Sequence, residues 1–205
     1  MKRRTVITVL CGMALWAANA QVRYDFDLVR SAAASRITHS TEWSETFRRD
    51  VLRVKSDESG SVLSLAMDEN IDWQKAKYMV CEVYHPSEHT LLLNICLFRK
   101  GEPAPETPWL SCSVAVLPKL KTQVIFPLEY LSAQRIFLPR FPRQLKGVLT
   151  GNRIEPEDIA GMCLQFFPAM SPLFAPDVEI ASVYLTGEMP PGYEAPQQKY
   201  VDRFG

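Results

Sequence analysis

The apolar residues of this chain come in short alternating runs, each cut off by turn-forming residues before a helix could complete itself. The clearest case is Tyr78-Met79-Val80-Cys81-Glu82-Val83-Tyr84, followed by the polar turn His85-Pro86-Ser87-Glu88-His89 and a second run from Thr90 to Phe98. Runs of this length, rich in aliphatic, β-branched and aromatic residues, read as paired strands. The expectation is a hairpin at the centre of a sheet. Strand side chains alternate between faces, which puts Met79, Cys81 and Val83 on one side and Tyr78, Val80, Glu82 and Tyr84 on the other. In the second run Leu91, Leu93, Ile95 and Leu97 oppose Leu92, Asn94, Cys96 and Phe98. One face of the hairpin is then wholly apolar, and the other, bearing Glu82, Tyr84 and Asn94, is the expected ligand face.

The rest of the chain repeats the pattern. Arg49 to Lys55 alternates, Ser56 to Gly60 is a turn, and Ser61 to Met67 reads as the returning strand. Further strands are expected at Trp109–Val116, Gln123–Phe126, Met162–Phe167 and Val178–Leu185. Val22–Val29 reads as a strand, the small residues Ser31–Ser35 as loop or short helix, and Pro127–Gln134 as a helical turn. Arg135–Asn152, with two prolines and two glycines, reads as a long packed loop. Eight or nine short antiparallel strands with almost no helix predict an all-β fold, a β-sandwich or jelly roll.

Residues 1–20 have the form of a secretory signal: Lys2-Arg3-Arg4, an apolar run to Trp16, and a small-residue cleavage site Ala18-Asn19-Ala20. Leu10 stands before Cys11 where a lipoprotein site needs a small residue, so plain cleavage is expected and the exported chain starts at Gln21. No later run is long and apolar enough to span a bilayer. Removing the leader leaves 20 basic against 23 acidic residues, a balance that disfavours nucleic-acid binding. The expected layout is one β-sandwich module over 21–187, then a proline-rich linker over 188–205 that opens a further, missing domain. The exported chain is expected in the periplasm, at the cell surface or outside the cell.

Export permits disulfides. Cys81, Cys96, Cys112 and Cys163 all sit in expected strands, however, without metal-site spacing, and read as buried thiols; Cys81–Cys96 is the bridge to test first. Catalytic signatures are missing. A retaining glycosidase needs two carboxyls roughly 5 Å apart, and the one acid in a central strand is Glu82. Asp68-Glu69 and Glu155–Asp158 fall in turns, and His85 and His89 flank Pro86 rather than share a helix face. No nucleophile elbow or phosphate loop occurs.

Four segments in order resemble the galactose-binding-like, carbohydrate-binding-module-like jelly-roll domains that precede the barrels of agarase-type bacterial glycoside hydrolases. They are Ile71-Asp72-Trp73 with Tyr78–Pro86, Leu117-Pro118 with Thr122–Leu131, Ile154–Phe166, and Val178–Leu185. The tail Val201-Asp202-Arg203-Phe204-Gly205 resembles the join into the catalytic domain. Two departures stand out: Lys119-Leu120-Lys121 replaces a glycine and aromatic, and Ala181-Ser182 replaces an Asp-Asn pair. The resemblance implies a non-catalytic accessory module whose partners are a polysaccharide or oligosaccharide and a glycoside hydrolase catalytic domain. The alternative is a module that docks on the barrel without sugar affinity; a small glycosidase centred on Glu82 ranks third. No cofactor is expected, and nothing in the sequence supports a structural calcium.

Sugar recognition needs an aromatic ring against the pyranose and planar polar groups for its hydroxyls. Glu82, Tyr84, Asn94, Trp109 and Gln165 are the expected set on one sheet face, with Arg140 and Arg143 reaching in from the long loop. Two arginines would suit an acidic or sulfated glycan.

Overall fold

The computed structural model describes residues 22–56, 60–68, 71–101, 108–131, 147–168 and 175–192. The leader, most of the loop bearing Arg140 and Arg143, and the tail from Tyr193 lie outside them. In chain order the elements are β1 (Arg23–Asp25), α1 (Leu28–Ser35), β2 (Thr38–Ser44), β3 (Arg49–Lys55), β4 (Ser61–Leu65), β5 (Tyr78–Tyr84) and β6 (Leu91–Arg99). They continue with β7 (Leu110–Val116), β8 (Thr122–Pro127), a 3-10 turn (Leu128–Leu131), β9 (Gly147–Gly151), a second 3-10 turn (Pro156–Asp158), β10 (Ile159–Pro168) and β11 (Asp177–Thr186). The strands form two antiparallel sheets packed as a sandwich. One runs β2-β3-β11-β5-β8, with β1 sharing an edge of β11 end to end with β3; the other runs β4-β10-β6-β7-β9.

The expected central hairpin does not form. β5 pairs with β11 and β8, and β6 pairs with β10 and β7, so the two runs belong to opposite sheets. The faces themselves are as read: Met79, Cys81 and Val83 meet Leu91, Leu93, Ile95 and Leu97 in the core. Two strands that each own a fully apolar face bury more area face to face than side by side, and His85–Thr90 is long enough to carry the chain across. The same correction applies to Ser61–Leu65, which pairs with β10 rather than returning along β3. β2 and β3 do form a hairpin, with all seven residues of each strand paired.

His85 secures the crossing. Its side chain is buried at 1% exposure, and Nε2 lies 3.1 Å from the carbonyl of Val116, at the end of β7. A carbonyl only accepts, so Nε2 carries the hydrogen. The His85 carbonyl in turn accepts from Lys119 N at 3.1 Å, and Glu88 pairs with the Lys119 ammonium. Both connections that change sheets at this end, β5–β6 and β7–β8, are thereby tied together. Lys119 itself sits at φ 54, a left-handed position that glycine adopts at no steric cost.

Two bulges adjust the faces. Between Ile180 and Ser182 one extra residue, Ala181, shifts the register of β11 against β5, so that Val178, Ile180, Val183 and Leu185 all point inward. A second shift lies between Ile159 and Gly161. The edge of β4 is closed by α1: Ser31 and Ser35 accept from Ala66 N and Ser64 N, both at 2.8 Å. That covers donors which an edge strand otherwise offers to any passing chain. α1 resolves the Ser31–Ser35 segment as helix, capped by Asp27, which accepts from Arg30 N. β9 lies within the stretch expected as loop; between its glycines Leu149 is buried against the core.

Candidate functional site

Because the presumed hairpin is split, its two polar faces become opposite outer surfaces of the sandwich. Glu82 and Tyr84 lie on the six-stranded sheet; Asn94 and Gln165 lie on the five-stranded sheet. The single face expected to hold all of them does not exist.

On the six-stranded sheet Glu82 is already engaged. Its Oε2 accepts from Arg49 Nη2 at 2.8 Å and from Ser182 Oγ at 2.7 Å, the second made possible by the β11 bulge. The tip of the β2–β3 hairpin leans over this face: Ser44 Oγ donates to Glu179 at 2.6 Å, and Lys121 Nζ stands 4.9 Å from the Phe47 ring. Tyr84 lies opposite Glu179 in register. Nearby, Arg53 grips Asp177 through two bonds of 2.6 and 2.7 Å and Glu42 through a third of 2.9 Å, which raises its already high pKa. This surface is a network of satisfied charges. Neither Arg49 nor Ser182 is near Glu82 in sequence, and no local pattern marks them as its partners.

The five-stranded sheet is different. In register across it run Val62, Gln165, Asn94, Ser113 and Val148. Asn94 and Gln165 are therefore direct neighbours, with Ser113 beside them. The flanking rows bring Leu92, Phe167 and Ala115 on one side, and Cys163, Cys96 and Ser111 on the other. None of the strand residues on this outer face is charged. Asn94 Oδ1 is buried and has no hydrogen-bond partner, while Val62 and Val148, at the two ends of the row, are 43% and 47% exposed. Alternation puts Ser111, Ser113 and Ala115 on one face of β7, but the place of Ser113 beside Asn94 is a tertiary fact.

Trp109 stands just before β7, at the end of the same sheet. Its indole N–H donates to the Arg153 carbonyl at 2.8 Å, and the Arg99 guanidinium lies 5.0 Å from its ring centre, itself 3.3 Å from Asp158. Its polar edge and one ring face are thus occupied by the protein. Arg140 and Arg143 fall outside the described residues. Among the described residues no group of three His, Cys, Asp or Glu is placed to hold a metal, and no helix is long and apolar enough to cross a membrane.

No protein-family model matches this sequence, and no curated protein matches it. Among solved structures the fold is similar to that of an agarase, AgWH50C, with a TM-score of 0.52 at 15% identity, over 82% of this chain and 25% of that one. PfGH50B aligns over 82% of this chain and 24% of its own, with a TM-score of 0.49 at 10% identity. At 15% identity the likeness to AgWH50C is one of fold, and this chain spans about a quarter of the length of the structures it matches.

Proposed function

We propose that this chain is an exported, non-catalytic, carbohydrate-binding-like module that serves polysaccharide degradation, with its ligand face on the five-stranded sheet around Asn94 and Gln165. The observation that carries the reading is the uncharged row Gln165–Asn94–Ser113. Two planar amides and a hydroxyl, set among Leu92, Phe167 and Ala115, combine the hydrogen-bonding groups and apolar surface that a pyranose requires. The unpartnered Asn94 Oδ1 is an unmade hydrogen bond, which a sugar hydroxyl would complete once the side chain turns outward. An uncharged face suits a neutral polysaccharide. Supporting context comes from AgWH50C, an agarase in which a fold of this kind makes up part of a much longer chain.

A second reading is favoured by the exposure of Val62 and Val148 in the same row: the face packs on a glycoside hydrolase catalytic domain without touching sugar. Interface centres are poor in charge, as this surface is. Affinity electrophoresis through agarose and through sulfated galactans, with Asn94→Ala and Gln165→Ala alongside, separates the readings. The first predicts retardation in the neutral gel that each substitution weakens by roughly tenfold, the worth of about one neutral hydrogen bond. Unretarded migration in every gel would overturn it in favour of docking.

A further inference from the structure

Two residues along β6 and β10 from the amide row, Cys96 and Cys163 stand directly opposite each other. Both are buried, at 1% and 2% exposure, although they belong to the outer face. Cys96 Sγ lies 3.6 Å from Ser111 Oγ. Cys81 and Cys112 instead point into the core, where burial raises both thiols, Cys112 to about 12. Cys96 moves the other way: proton donation by Cys163 favours its thiolate against the opposing effect of burial, with a smaller contribution from Ser111, and lowers its pKa. Cys163, the donor, is held up as a thiol.

We propose that Cys96 and Cys163 form a cross-strand disulfide in an oxidising compartment, clasping the two central strands of the five-stranded sheet. Directly opposed residues of an antiparallel pair have Cα atoms about 4.5–5.5 Å apart, inside the roughly 4.4–6.8 Å range that a disulfide spans. The Cys81–Cys96 pair, singled out from the sequence only as the first bridge to test, has no such geometry. Cys81 belongs to the other sheet and faces inward, whereas Cys96 faces outward.

The chemistry is thiol–disulfide exchange with a small external disulfide such as oxidised glutathione. The Cys96 thiolate attacks one sulfur of the reagent and expels the other as a thiolate, leaving a mixed disulfide. Cys163 loses its proton, attacks Cys96 Sγ and expels the second thiolate. The pair gives up two protons and two electrons, and one external disulfide becomes two thiols. Burial confines the first attack to chains that are folding or locally opened.

The test equilibrates the full chain with a glutathione redox buffer, both folded and during refolding, blocks remaining thiols with iodoacetamide in denaturant, and maps the peptides by mass. The expected result is a peptide joining Cys96 to Cys163, two hydrogens lighter than its parts, with Cys81 and Cys112 carrying the label. As a second readout, reductant should lower the denaturation midpoint of the oxidised chain but leave those of Cys96→Ala and Cys163→Ala unchanged. Label on both Cys96 and Cys163 after both treatments, a different pairing, or a midpoint indifferent to reductant would overturn the proposal.

Discussion

Acidification should weaken this fold before its carboxylates begin to protonate, and His85 is the reason. The ring is buried, Nε2 donates to Val116 O, and Nδ1 is buried without any partner. A second proton must go onto Nδ1, and burial, outweighing the backbone hydrogen bonds at Val116 and Leu117 that favour the charged ring, lowers the His85 pKa. The unfolded chain, with an ordinary imidazole near pH 6.5, then binds more protons than the native one. Stability therefore rises with pH in this window, is fully present above about 6.5, and is lost as the pH falls towards the depressed native pKa. A single proton difference tilts stability by at most about 1.4 kcal/mol per pH unit, a noticeable fraction of the roughly 5–15 kcal/mol that holds a domain together. Glu88, nearest on the same connection, has its pKa lowered by Lys119 and keeps its charge throughout. The assay is urea denaturation of the wild type and His85→Gln at half-unit steps from pH 7.5 to 5.0. Glutamine can still donate to Val116 but cannot titrate. The variant should start about 1–2 kcal/mol less stable, from lost packing, and stay level while the wild type falls towards it. A wild-type curve that is flat between 6.5 and 5.0, or a variant that keeps the same slope, would refute the assignment.

Phe166, fully buried in the core, should cost about 3–5 kcal/mol when cut to alanine, read as a drop in the urea midpoint at unchanged m-value. Arg53→Lys should cost about 1–2 kcal/mol by the same measurement, because an ammonium cannot reproduce the two-pronged grip on Asp177. Replacing Ser31 and Ser35 together by alanine removes the acceptors for the amides of Ser64 in β4 and Ala66 just after it; the cost should be about 1 kcal/mol for each. Light scattering should also show faster association, since the edge is then open.

What the sequence disclosed, and what it withheld, follow from the range of the forces involved. Alternation is local, so the inward and outward sets of β5 and β6 were correct residue by residue. Even the β11 bulge left a trace: Val178 and Ile180 keep a period of two that resumes out of phase at Val183 and Leu185. Partner choice is not local. Whether β6 lies beside β5 or across the core from it depends on the summed area of faces contributed by distant strands, and adjacency in sequence pointed to the wrong pairing. That one error merged two surfaces into a single ligand face and selected Cys81 rather than Cys163 as the neighbour of Cys96. Glu82, conspicuous as an acid within a central strand, proved to be held by Arg49 and Ser182, 33 and 100 positions away. Asn94 and Gln165, both in the expected ligand set, are direct neighbours across β6 and β10.

The most direct test of the proposed ligand face is a backbone amide NMR titration of the full chain with neutral agar oligosaccharides. The account predicts the largest shifts at Asn94, Ser113, Gln165 and their row neighbours on β6, β7 and β10, with little change around Glu82 and Tyr84 on β5. Shifts centred on β5 and β11, or none at saturating oligosaccharide, would contradict it.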